Sequence, residues 1–309
     1  MPDPVAILSA MAVAGAVTAL VQLSSSRFGS SPGAAISWPL AVGLGFVTGA
    51  AMLGFRPRGV LATDQERFLL LVVPLAVVAE SWIALKPMSL ARMVLARGCV
   101  ALLAAPLLML GSVYFTGGAS GWTLSERVFF LFGVGLLILA LWLMLATLQQ
   151  RRRDPTISLS LAATSIAAGI TTILSGYASA GQLALPLAAT LAVAAFATPA
   201  AASQGAPGTV GVGWICLAGV LFIGRFFGSL TTLHAVLLGV TPLVCWLAEY
   251  RPVCFWAAWP RRLFLLSVTV LLLGPVVWHA QHRFRTHSGS PVPGAVPAPS
   301  MQDYLDFGR

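Results

Sequence analysis

Charge is scarce in this chain: Asp, Glu, Lys and Arg together make up 9% of its 309 residues, where an ordinary globular domain carries about 25%. That shortage excludes a water-covered surface, and 58% hydrophobic residues with a mean hydropathy of +0.89 predict an integral membrane protein. Acidic residues are the rarer sign. The formal charge of +9 is almost wholly arginine, placed at the ends of apolar runs and not in a patch interleaved with aromatics. This pattern assigns the positive charge to membrane topology and makes lipid headgroups the expected partners; it excludes nucleic acid.

Cysteine is equally sparse. Cys99, Cys216, Cys245 and Cys254 form no CxxC and have no histidine at ligand spacing, so neither a metal site nor a cofactor is expected, and most of them read as small hydrophobes inside apolar runs. Motifs of enzyme chemistry are missing too: the chain has no phosphate-binding glycine loop, no HExxH and no paired aspartates. "GGASGW" contains the GxSG that resembles rhomboid-type intramembrane serine proteases, but Ser120 falls in a connection and no transmembrane histidine is placed to act as its base. Enzyme activity is therefore disfavoured. The N-terminus carries Asp3 and lacks a basic leader region, which reads as a retained first helix.

What the chain has in abundance is apolar runs. A membrane helix needs about 20 mostly apolar residues, and that length divides residues 1–280 into ten spans: 4–23, 37–55, 68–86, 93–116, 128–148, 157–177, 183–201, 208–224, 231–250 and 263–280. The expected fold is an all-α polytopic transmembrane bundle. Residues 281–309 are rich in Pro, Ser and Gly and read as a mostly disordered tail. Ten basic residues, Arg151, Arg152 and Arg153 among them, fall on the side of the loops after the odd-numbered spans, against seven on the other. This bias places the "QQRRRDP" loop in the cytoplasm and both termini outside a bacterial inner membrane.

Gly49, Gly54, Pro74, Glu80 and Pro106 are followed at offsets of 168 to 170 residues by Gly219, Gly224, Pro242, Glu249 and Pro275. The spacing suggests a parallel internal repeat relating helices 2–4 to helices 8–10, with chance as its competitor in so Gly- and Pro-rich a chain.

Charges inside spans are costly and mark candidate sites. Glu80 lies well inside the third span, and Arg97, just inside the fourth, is its natural partner; the pair reads as structural or as a proton- or cation-linked site. Arg225 follows a 17-residue apolar run, so it reads either as an interfacial arginine that snorkels to headgroups or as a charge facing a cavity. Polar, glycine-rich connections on the same side supply Tyr177, Gln182 and His234, which with Arg225 form a candidate ligand mouth, although short hairpin turns explain such loops equally well.

"SGYASAGQLALPLAA" followed by "VLFIGRFFGSLTTLHAVLLGVTPLVCWLAE" resembles a group of bacterial polytopic membrane proteins to which no activity is assigned, so the resemblance implies a ten-helix fold and carries over no site residue. Size and span count also resemble ten-helix drug/metabolite transporters, but those are built from inverted five-helix repeats. Three functions stay open: a small-solute or lipid permease in which Glu80 and Arg225 share a cavity; a membrane scaffold offering a flat apolar or small-residue face on helices 2, 6 or 7; and a lipid-modifying membrane enzyme.

Overall fold

The computed structural model describes residues 3–26, 32–55, 61, 63–85, 88–112, 123–152, 154–197 and 208–288. Among them ten helices are long and apolar enough to cross a membrane: α1 (Pro4–Ser26), α2 (Pro32–Met52), α3 (Asp64–Leu85), α4 (Leu90–Met109), α5 (Leu124–Arg151), α6 (Thr156–Leu174), α7 (Ala178–Ala197), α8 (Thr209–Phe226), α9 (Thr232–Glu249) and α10 (Ala258–Ser288). No strand occurs among the described residues. The protein is an integral, multi-pass, all-α membrane protein.

Helix starts follow from local chemistry. Thr63 and Thr123 each accept the N–H of the residue three on, and Glu66 and Glu126 reach back to the cap N–H, closing a capping box at the heads of α3 and α5. Proline shapes two helix interiors. Pro74 has no N–H for the Leu70 carbonyl, and the turn before it, Phe68–Val72, widens to π geometry. Pro242 likewise denies a donor to Leu238, and α9 tightens to a 3₁₀ helix over Thr241–Glu249.

Most boundaries fall within five residues of the sequence expectation, and two differ by more. α4 stops at Met109 instead of 116, because Leu110 leaves helical dihedrals and Gly111 turns left-handed at φ 67°. α10 continues eight residues past 280, since "QHRFRTHS" holds neither Gly nor Pro to stop it; the rest of the expected tail lies outside the described residues.

The eighth span is the axis of the bundle. Every residue from Thr209 to Gly224 is buried, and α8 packs against α2, α3, α4, α5, α6, α7 and α9. A helix apolar all round belongs in the core of a membrane bundle. By contrast α1, α5 and α10 turn Leu8, Phe129, Leu271 and Trp278 outward, where acyl chains would cover them.

Close backbone approach uses small residues. A Cβ on Gly49 of α2 would lie 2.8 Å from Ala14 Cβ and 2.6 Å from Pro186 Cβ, and one on Gly169 of α6 would lie 2.8 Å from the Gly181 carbonyl of α7. The small-residue faces of helices 2, 6 and 7 are thus consumed inside the bundle. At one pair of the suspected repeat the backbones differ: Gly54 is left-handed at φ 87° beyond the end of α2, whereas Gly224 is helical and a Cβ on it would lie 3.0 Å from Thr172.

Candidate functional site

Four polar centres are held in the bundle, two at each end of α8. Near its N-terminus, Arg97 grips Glu80 with two hydrogen bonds, Nε to Oε1 at 2.8 Å and Nη2 to Oε2 at 3.1 Å. Both are buried, at 5% and 1% exposure. The Trp142 indole N–H donates to the same Oε1 at 2.9 Å, and the guanidinium stacks 5.6 Å from the centre of that ring. Room for the carboxylate comes from α8: a Cβ on Gly211 would overlap Glu80 Oε1 and lie 2.7 Å from Trp142 Nε1. Each buried charge here has an opposite charge and a planar hydrogen-bond fit, which is what makes burial tolerable. Arg97 Nη1 alone has no partner among the described residues.

The second centre at this end ties the connections together. Asp154 accepts hydrogen bonds from Thr156, Arg261 and Arg262. Burial would raise its carboxyl, but the hydrogen bonds from Thr156 and the two guanidinium groups outweigh burial and hold it below the ordinary carboxylate range. Glu249, an interfacial residue by position, pairs with Arg152 at 2.6 Å and stays part-exposed.

At the other end of α8, Tyr177 and Asp64 form the third centre. The Tyr177 hydroxyl donates to the Asp64 carboxylate, 3.0 and 2.9 Å from its oxygens, and Gln65 Nε2 donates to Tyr177 at 3.1 Å and to Ser179 at 2.6 Å. Burial, reinforced by the Asp64 charge, pushes the Tyr177 phenol up to about 12. Beside it Arg67 is buried and donates to the carbonyls of Leu61 and Leu108.

The fourth centre is a histidine pair, His234 Nε2 and the exposed His279 Nδ1 at 2.9 Å, of which His234 lines a cavity of about 380 Å³ between the α6–α7 turn, α9 and α10. Arg225 is elsewhere. It is exposed in the last turn of α8, donates to Thr232 Oγ1 at 2.7 Å, and sits at one end of an apolar groove of about 540 Å³ between α5, α8 and α9.

The four residues of the expected ligand mouth therefore do not converge. Tyr177 belongs to Asp64, His234 to its own cavity and Arg225 to the groove; Gln182 is half-buried on α7 and hydrogen-bonds none of them. Nor do Glu80 and Arg225 share a cavity. Gly211, which touches Glu80, and Arg225 are separated by 14 residues of α8, roughly 21 Å along the axis. Ser120 lies outside the described residues.

Trp142 and His279 were missed by sequence reasoning. Trp142 is one residue of a long apolar run with nothing to mark its hydrogen bond, whereas His279, four residues before Arg283, could have been flagged as a polar group inside the last span. Among the described residues no group of His, Cys, Asp and Glu could hold a metal ion. Comparison of the chain with protein-family models, with curated proteins and with solved structures finds no match in any of the three.

Proposed function

We propose that the protein is a lipid permease of the bacterial cytoplasmic membrane that admits an anionic amphiphile sideways from the bilayer through the groove between α5, α8 and α9. One observation carries this reading. The groove has walls of Phe, Leu, Val and Ile side chains and ends at an exposed guanidinium, that of Arg225, in the last turn of a spanning helix. Apolar walls suit acyl chains, and a cation at the depth where headgroups lie suits a phosphate. A volume of about 540 Å³ is in the range of ligand pockets.

Two alternatives are weakened by specific residues. A central path for a small solute would have to run beside α8, which is packed on all sides from Thr209 to Gly224. A scaffold working through the small-residue faces of α2, α6 or α7 finds them closing the bundle internally, which leaves it only a flat apolar face. The distribution of arginine supports an orientation with both termini outside.

The test is photolabelling in lipid nanodiscs with diazirine-bearing phosphatidylglycerol and, in parallel, diazirine-bearing phosphatidylcholine. Labels are expected in the Phe129–Leu141 and Leu221–Phe226 segments, favouring the anionic probe, and Gly133→Trp, which fills the groove from α5, should remove them. Labelling spread evenly over the outer helices, or unchanged in Gly133→Trp, would overturn the reading.

A further inference from the structure

The cavity beside the histidine pair is a different place from the groove, on the other side of α9, and it has a different chemistry. Its wall carries Ser175, Ser229, Thr231, His234 and Arg283, and none of the described lining residues is acidic. His234 is buried at 5% exposure, so its charge state is felt in the cavity and not dispersed in solvent. Hydroxyl groups, an imidazole and a guanidinium around about 380 Å³ form a donor-rich, positively biased space.

The hydrogen bond that joins His234 to His279 is compatible with one added proton and not with two. With 2.9 Å between His234 Nε2 and His279 Nδ1, one of these nitrogens must donate and the other accept. In the neutral pair the donating ring has a bare outer nitrogen. A proton added there makes that ring an imidazolium and leaves the N–H···N bond intact. A second proton would have to go onto the accepting nitrogen and break the bond. Histidine is the side chain whose ordinary titration lies between about pH 5 and pH 8.

The charged groups nearest the pair are basic. Arg283 lines the same cavity, and His282 and Arg285 stand exposed on the same end of α10. Arg225 is in the last turn of α8, Tyr177 ends the α6–α7 turn with its hydroxyl hydrogen-bonded to Asp64, α6 carries no titratable group, and Glu249 is at the far end of α9. An anion in the cavity would reverse this balance.

We infer that the cavity between the α6–α7 turn, α9 and α10 binds a small oxyanion, a phosphate-type headgroup or a soluble anion, and that the His234–His279 pair takes up one proton as it binds. The site and the groove are independent, so either can fail without the other. The proton goes from solvent to the outer nitrogen of the donating imidazole, Arg283 supplies the fixed positive charge, and the hydroxyls of the wall supply orientation.

The experiment titrates the protein in phosphatidylcholine nanodiscs with sulfate, whose charge does not change between about pH 8 and about pH 6, the range in which histidine responds. Calorimetry in buffers of different ionisation enthalpy counts protons. Sulfate should bind more tightly as pH falls, with an uptake that rises toward one proton and never exceeds it. Arg283→Gln should weaken sulfate roughly two- to five-fold, the change typical of an exposed charge contact. His279→Gln should keep binding at the alkaline end and lose the proton uptake; if that variant does not fold, the imidazole proton resonances of the unaltered protein should shift on adding sulfate. Repeating the titration with phosphatidylglycerol in the disc separates the sources, both consistent with the site: a headgroup competes with sulfate, whereas a cavity for soluble anions is indifferent to the lipid. Absence of sulfate binding, binding without proton uptake, or binding unchanged in Arg283→Gln would overturn the inference.

Discussion

Gly211 and Glu80 compete for one volume: a Cβ on the glycine would overlap the carboxylate oxygen that Arg97 and Trp142 both hold. The absence of a side chain on α8 is thus what lets a charged pair be buried between α3, α4 and α5. Gly211→Ala should lower the stability of the detergent-solubilised protein by roughly 1–3 kcal/mol, the usual cost of over-packing. Alanine's better helix propensity, about 1 kcal/mol, offsets only part of that. Gly133, whose Cβ would meet nothing within 4 Å, is the control: Gly133→Ala should be neutral or stabilising, and thermal unfolding midpoints distinguish the two.

The Glu80–Arg97 pair itself should behave as a unit. Removing one partner leaves a buried, unpaired charge, so Glu80→Gln or Arg97→Met should each cost roughly 3–5 kcal/mol, while the double variant recovers a large part. A double-mutant cycle on unfolding midpoints measures this. Additive losses would mean that the two side chains do not depend on each other.

Asp154 gives a pH signature. Its carboxyl is held below the ordinary value in the folded protein, so its contribution is present above the unfolded value of about 3.9 and disappears as pH falls through the lower, folded value. Asp154→Asn should therefore cost roughly 1.5–3 kcal/mol, a typical figure for hydrogen bonds to a charged group. That difference from the unaltered protein should stay constant from neutral pH down to about pH 5 and shrink below about pH 4. Stability measured across that range in one detergent checks both the size and the sign.

How much of this was legible in the sequence differs from residue to residue. Span number and helical class were readable because apolar length is a direct demand of the bilayer. Glu80 and Arg97 stood out because a charge in an apolar run has few affordable partners, and α3 and α4 are joined by a short connection. The boundary errors at Met109 and Ser288 came from treating apolar composition as helix length, when Gly111 ended one helix and the lack of any breaker extended the other.

The ligand mouth failed for a different reason. Span order says which residues share an end of the bundle, and nothing about their order around it. That the eighth helix is central, dividing Arg225 from His234 through the neighbouring α9, depends on packing between distant segments. Trp142 and Gly211 were invisible for the same reason: each is an ordinary member of its own run and becomes specific only against Glu80.

The central claim is passage of an anionic amphiphile by way of the Arg225 groove. Its most direct measurement is translocation of fluorescent phosphatidylglycerol across proteoliposomes, read by quenching of the outer leaflet. Protein-dependent translocation is expected, reduced roughly two- to five-fold by Arg225→Gln and abolished by Gly133→Trp. Translocation no faster than in protein-free vesicles, or equally fast in Gly133→Trp, would contradict the account.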